Sequence, residues 1–325
     1  MRRITTFLSL SCVAILFPLN AFAAGLDLVK IITTPTTPGP NQEVKVTLQS
    51  YAVDLNTAEI VWYVDKEPVK QGVAEKNITI QTKDLGEPTV IDIVITPTYG
   101  VRLNKQLIVE PSEVDLLWEA DTYTPPFYKG KALPTFKSMV KMTAIPRKNS
   151  YSSSPSSFYY KWTYNRIEGL GEALGMSSTL IRSGWPNSSV PVTVNVSIPN
   201  TEWKGAETVN IPGYNPKIVL YEQQPLLGTL FHRALTPSTK GVGNTFSVRA
   251  VPYFFSTDNY LNKDLVYSWN VNGETVQTSA EPTNMELVKN GKGAEQFDVN
   301  LRIQNPKRIL QEGRISSSVT LPVEE

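Results

Sequence analysis

Leu265-Val266-Tyr267-Ser268-Trp269-Asn270-Val271-Asn272-Gly273 decides the fold, because the chain repeats its pattern. The other versions are Val61-Trp62-Tyr63-Val64-Asp65-Lys66 and Lys161-Trp162-Thr163-Tyr164-Asn165-Arg166, so the tryptophans stand 100 and 107 residues apart. Self-similarity at a fixed spacing marks one supersecondary unit used repeatedly. A unit of about 100 residues is the length of one two-sheet β-sandwich pinned by a buried tryptophan. Trp62, Trp162 and Trp269 are therefore expected in three separate cores.

The flanking segments repeat in the same order. A first strand is expected at 26–32, 114–118 and 217–221. A second follows at 44–48, 139–144 and 246–251, where apolar and polar residues alternate: Val44-Lys45-Val46-Thr47-Leu48 is the clearest case. Period-two alternation puts one face into a core and the other into water. Late strands fall at 90–95, 192–198 and 297–303. Glu110-Pro111-Ser112 and Ile211-Pro212-Gly213-Tyr214-Asn215-Pro216 separate the copies; proline stops a strand from running on. The expected modules are 24–110, 111–213 and 214–325, joined as a semi-extended string. Helical periodicity is weak, with Arg166 to Met176 the only mild candidate.

The amino terminus carries the marks of an export signal. Arg2 and Arg3 precede an apolar run from Phe7 to Phe17, and Ala21-Phe22-Ala23 offers small residues for cleavage. Residues 1–23 are thus expected to be removed, and the run is too short for a membrane-spanning helix, which needs about 20 apolar residues. Cys12, the single cysteine, leaves with that segment. The mature chain then has no disulfide, thiol chemistry or cysteine-bound zinc, and its modules rely on packing alone. No later segment approaches a membrane span. A net charge of +1 gives no electrostatic case for binding nucleic acid or an anionic membrane.

The tyrosine-x-tryptophan strand and polar turn at 265–274, echoed at Tyr160-Lys161-Trp162 and Ile60-Val61-Trp62, resemble bacterial immunoglobulin-like and PKD-type modules. The layout is also similar to envelope proteins of bacteria with type IV pili. The resemblance implies an all-β protein of three tandem immunoglobulin-like β-sandwiches at the bacterial cell surface or in the periplasm. The export signal, the triple repeat and the lack of a catalytic constellation point to non-catalytic work: adhesion or another contact with a protein partner. A carbohydrate-binding spacer and a periplasmic accessory of pilus or secretion assembly stay open beside it.

Copies two and three share an insert between their first two strands, containing Tyr123, Pro125-Pro126-Phe127-Tyr128-Lys129-Gly130-Lys131 in one and Phe231-His232-Arg233 in the other. Phe127 and Phe231 suit closure of a sandwich end. Tyr123, Tyr128, Lys129, Lys131, His232 and Arg233 are the candidate contact residues, since tyrosine and basic loops on a rigid scaffold make common binding surfaces. Tyr151 joins them from a serine- and tyrosine-rich loop of paratope-like composition. Asp258, Asn262 and Asp264 offer oxygens for calcium, but not at EF-hand spacing.

Catalysis has little to build on. His232 is the only histidine, so a zinc site with several histidine ligands is impossible and a serine–histidine–aspartate triad has one place to form. No nucleophile-elbow motif occurs. No cofactor is expected.

Overall fold

The computed structural model describes residues 28–148, 154–256, 264–278 and 281–323, so the export segment and Tyr151 lie outside the described residues. The first module has seven strands: β1 (Lys30–Thr34), β2 (Glu43–Gln49), β3 (Glu59–Val64), β4 (Glu67–Val73), β5 (Asn77–Gln81), β6 (Thr89–Thr96) and β7 (Leu103–Val109). They form a β1-β2-β5 sheet facing a β4-β3-β6-β7 sheet. The second repeats the plan with β8 (Glu113–Ala120), β9 (Met139–Arg147), β10 (Tyr159–Tyr164), β11 (Ile167–Leu174), β12 (Ser178–Arg182), β13 (Ser189–Ser197) and β14 (Lys204–Pro212). Its sheets are β8-β9-β12 and β11-β10-β13-β14.

The third module adds two strands to that plan. It comprises β15 (Lys217–Gln224), β16 (Gly228–Ala234), β17 (Ser238–Lys240), β18 (Thr245–Tyr253), β19 (Val266–Val271), β20 (Glu274–Val276), β21 (Asn284–Val288), β22 (Glu295–Gln304) and β23 (Glu312–Leu321). The additions are β16, a hairpin partner of β15, and β17, which runs parallel to β23. Every strand-to-strand pairing except that one is antiparallel, and the strand after the tryptophan strand always joins the tryptophan sheet. The chain is an all-β array of three immunoglobulin-like sandwiches.

The repeated phrase encodes three structural features at once. Its tryptophan is buried in each core, and the indole N–H donates to a backbone carbonyl 13 or 14 residues downstream: Trp62 to Glu75 at 2.7 Å, Trp162 to Met176 at 2.9 Å, Trp269 to Pro282 at 2.9 Å. Burial of a large ring with its one polar atom satisfied is the favourable way to use tryptophan. Three and four residues on come Asp65-Lys66, Asn165-Arg166 and Asn272-Gly273, each pair with both residues at positive φ. That is the two-residue hairpin turn whose twist matches the strands it joins. Alternation supplies the rest: Val44, Val46 and Leu48 are buried, while Glu43, Lys45 and Gln49 between and beside them are exposed.

Modules 2 and 3 are not beads on a free string. The segment Ile211–Pro216 is pinned: Gly213 donates to Ser188 O and accepts from Asn187 N, both at 2.8 Å, and Tyr214 donates to Pro134 O at 2.8 Å. A separate apolar cluster, Tyr221, Val251, Tyr253 and Phe254 with Tyr123, Tyr128 and Leu133 packed on it, lies between the two modules. Hydrogen bonds and aromatic burial here exceed what a flexible proline linker provides.

Candidate interaction surface

The insert residues meet each other. Tyr128 sets its ring edge-on to Tyr253 and Phe254, both at 5.7 Å, and Phe127 lies 4.1 Å from Phe231 and 6.3 Å from Tyr221. The backbone closes the same seam: Tyr123 donates to Phe255 O at 2.8 Å, and Phe254 donates to Tyr123 O at 2.7 Å. Thr135, fully buried, donates its hydroxyl to Phe254 O at 2.7 Å. Gln311, also fully buried, reaches from module 3 to Phe136 O at 2.8 Å. Buried amides and hydroxyls with every partner in place specify one mutual arrangement.

Tyr123 and Tyr128 are therefore occupied inside the chain, which corrects the expectation of outward-facing loop aromatics. Phe127 and Phe231 join the modules and do not each close their own sandwich end. Lys131 lies 3.3 Å over the Trp118 ring, and burial pushes its amine below the usual lysine range against the pull of Glu119. Arg233 pairs with Glu222 at 3.0 Å. Lys129 and His232 are exposed. Asp264 pairs with Lys307 at 3.2 Å, and its expected companions Asp258 and Asn262 lie outside the described residues. Among the described residues, no group of three histidine, cysteine or acidic side chains is placed to hold a metal ion.

The seam is rich in phenols, and this gives it a pH signature. Burial, the hydrogen bond with Tyr221 and the neighbouring phenols push Tyr253 well above the usual tyrosine range. Burial does the same to Tyr267, with Tyr123 adding and Arg249 opposing. A folded pKa raised above the unfolded value means stability that is complete below about pH 10 and lost as pH climbs past it. We expect ultraviolet titration at 295 nm to show late phenols, Tyr253 and Tyr267 of module 3 and Tyr160 and Tyr164 of module 2, that ionise only as the structure opens. A Tyr253→Phe variant should lose one of them.

The first module presents a different surface at one end. Loops Ser50 to Ala58 and Pro97 to Arg102 join β2 to β3 and β6 to β7. In sandwiches of this class such loops gather at one end and carry binding sites. In module 3 the described residues Phe254, Phe255 and Gln311 at that end bond to module 2; in module 1 no described residue covers it. Tyr51, Tyr99 and Val101 are 107%, 91% and 79% exposed. Between the loops lies a cleft of about 470 Å³ walled by Leu28, Val53, Pro97, Val101 and Leu103.

The backbone beneath these side chains is tied down. Ser50 Oγ accepts from the amides of Ala52 and Val53 at 3.1 and 2.9 Å. Asp54 accepts from the backbone and side-chain nitrogens of Asn56, both at 2.9 Å, which holds its carboxyl below the usual range. Thr98 Oγ1 donates to Thr57 O at 3.0 Å and fastens one loop to the other. Exposed tyrosines on pre-set loops lose little entropy on contact. Sequence reasoning passed over this tip because its tyrosines stand singly in the plainest of the three copies.

No protein-family model matches the chain, and no curated protein matches it in sequence. Solved structures similar to it include the three N-terminal domains of the bacteriophage RB49 highly immunogenic outer capsid protein, at 11% identity, covering 91% of this chain and 99% of that one, with a TM-score of 0.26. The central fibronectin-III array of RIM-binding protein is similar at 14% identity, 91% and 96% coverage and a TM-score of 0.31. The Clostridium thermocellum CbhA fibronectin(III)-like modules are similar at 10% identity, 57% and 94% coverage and a TM-score of 0.27. At these TM-scores the likenesses carry no functional argument, and the fold assignment rests on the sheet topology.

Proposed function

We propose that the chain is an exported, non-catalytic protein of the bacterial envelope whose first module contacts a protein partner. Modules 2 and 3 act as a stiff base behind it. The carrying observation is the pair of hydrogen-bonded loops that hold Tyr51, Tyr99 and Val101 in water beside an apolar cleft. Large aromatics left exposed together at the end of a rigid scaffold are the usual anchors of protein contacts. The amino-terminal signal pattern supports export, and the absence of a catalytic constellation in the sequence supports a binding role.

Site-specific photocrosslinking tests this reading. A photoreactive phenylalanine analogue at position 99 should yield a discrete protein adduct in native envelopes, and the same group at position 45 should not. Tyr51→Ala with Tyr99→Ala should abolish capture of that protein by the full chain. Saturable binding on a glycan array, lost in the same double variant, would replace the protein partner with a sugar.

A further inference from the structure

A second hollow, of about 550 Å³, spans the junction of modules 2 and 3. Its module 2 wall is the last rung of the β8-β9-β12 sheet. Asp121 donates its amide to Met139 O, and Arg182 is the register partner of Met139. Lys137 stands beside that rung at φ 57°, with its amide on Ser183 O and its amine 5.2 Å above the Phe136 ring. Among the described residues, the module 3 wall is Ser256, Asp264, Asn305, Lys307 and Arg308. Asn305, Lys307 and Arg308 belong to the loop after β22, at an end where single sandwiches of this class carry binding sites.

Among the described residues, four cations thus line the hollow against two carboxylates. Lys307 is held by Asp264 at 3.2 Å, and Arg308 donates to Ser256 O at 3.2 Å. Lys137 and Arg182 enter no ion pair among the described residues. The floor is rigid. Asn305 is buried, donates to Gln311 Oε1 and Ser256 O and accepts from the Lys307 amide; Gln311 donates to Ser256 Oγ at 2.8 Å. A lysine kept in the left-handed backbone region persists only where its surroundings enforce it.

We propose that this cleft binds a small polyhydroxylated oxyanion of the sugar-phosphate class. Lys137, Arg182 and Arg308 take the oxyanion, for which planar guanidinium groups are suited. Asp121 and Ser256 accept hydrogen bonds from the hydroxyl groups of the remainder. The volume falls in the range of about 300–1,000 Å³ that holds small ligands, and is far larger than one phosphate needs. Because both modules supply groups, occupancy also fastens the junction.

Isothermal titration of the full chain at low salt tests the proposal with glucose 6-phosphate, inorganic phosphate, glucose and a hexaglutamate peptide. Glucose 6-phosphate should bind saturably, more tightly than phosphate, and glucose should be silent. Arg182→Gln and Arg308→Gln should each weaken binding about tenfold or more, with unchanged circular dichroism, and Lys45→Gln on module 1 should leave it intact. Absence of glucose 6-phosphate binding, equal affinity for phosphate, or indifference to both arginine variants would overturn the proposal. So would binding of hexaglutamate alone, which would assign the cleft to an acidic protein segment.

Discussion

Replacing Trp162 by alanine is expected to destabilise module 2 by about 3–5 kcal/mol, the range for deleting a large aromatic from a packed core. The side chain is fully buried in the core that Phe158, Tyr160 and the β9 and β13 residues also build, so the vacated volume has no solvent to fill it. A module of about 100 residues has only about 5–15 kcal/mol in total, so the variant approaches unfolding at ambient temperature. Trp162→Phe should cost less, because it keeps most of the apolar contact and loses only the N–H. The Met176 carbonyl, which accepts that N–H at 2.9 Å, is then left without its partner. Urea titration followed by circular dichroism measures both, and the order of midpoints should be wild type, phenylalanine, alanine. If alanine shifted the midpoint no more than phenylalanine, the indole would not be a core pin.

Gly213→Ala is expected to have the second large effect, and for a different physical reason. A Cβ on Gly213 would lie 2.1 Å from the Trp185 carbonyl oxygen and 2.9 Å from its carbon. Both are backbone atoms that no rotamer change can move. The linker must therefore lift away from the 185–188 turn, giving up the Gly213–Ser188 and Asn187–Gly213 hydrogen bonds. Trp185 stacks on Phe136 at 4.8 Å, and Phe136 O is the acceptor of Gln311 from module 3. The disturbance thus runs straight to the junction. Overpacking of this kind costs about 1–3 kcal/mol, and more where backbone must move. Thermal unfolding should show the module 2–3 transition lowered and broadened, while module 1 melts as before.

Much of the fold was legible because its determinants are local. Alternation in Val44 to Leu48, the proline breaks, and the tryptophan phrase with its two-residue turn all act within a few residues, and together they specify the strands. The seam was not legible for the opposite reason. Tyr123 and Tyr128 find Phe254, Phe255 and Tyr253 more than a hundred residues later, and a tyrosine-rich loop has the same composition whether it waits for a partner or packs on its own chain. One signal was present: Ala250 to Phe255 are six consecutive buried residues at the end of a strand that had been alternating. An unbroken apolar run means that both faces are covered, so something beyond the third core had to lie against it. The tip of module 1 was not legible either, because Tyr51 and Tyr99 stand singly in short polar loops and only the fold brings those loops to one exposed end.

The junctions also differ in kind. Module 1 meets module 2 through the Ser112 amide on Pro38 O at 2.9 Å and the Lys148–Glu110 ion pair at 3.4 Å. Partly exposed pairs of that sort contribute about 0–1 kcal/mol. No ring pairs across that boundary among the described residues, whereas the 2–3 boundary buries a cluster of them. Differential scanning calorimetry of the whole chain tests this division most directly. The structure predicts two transitions, the larger covering modules 2 and 3 together with equal calorimetric and van't Hoff enthalpies. Three transitions of similar size, each confined to one module, would contradict it.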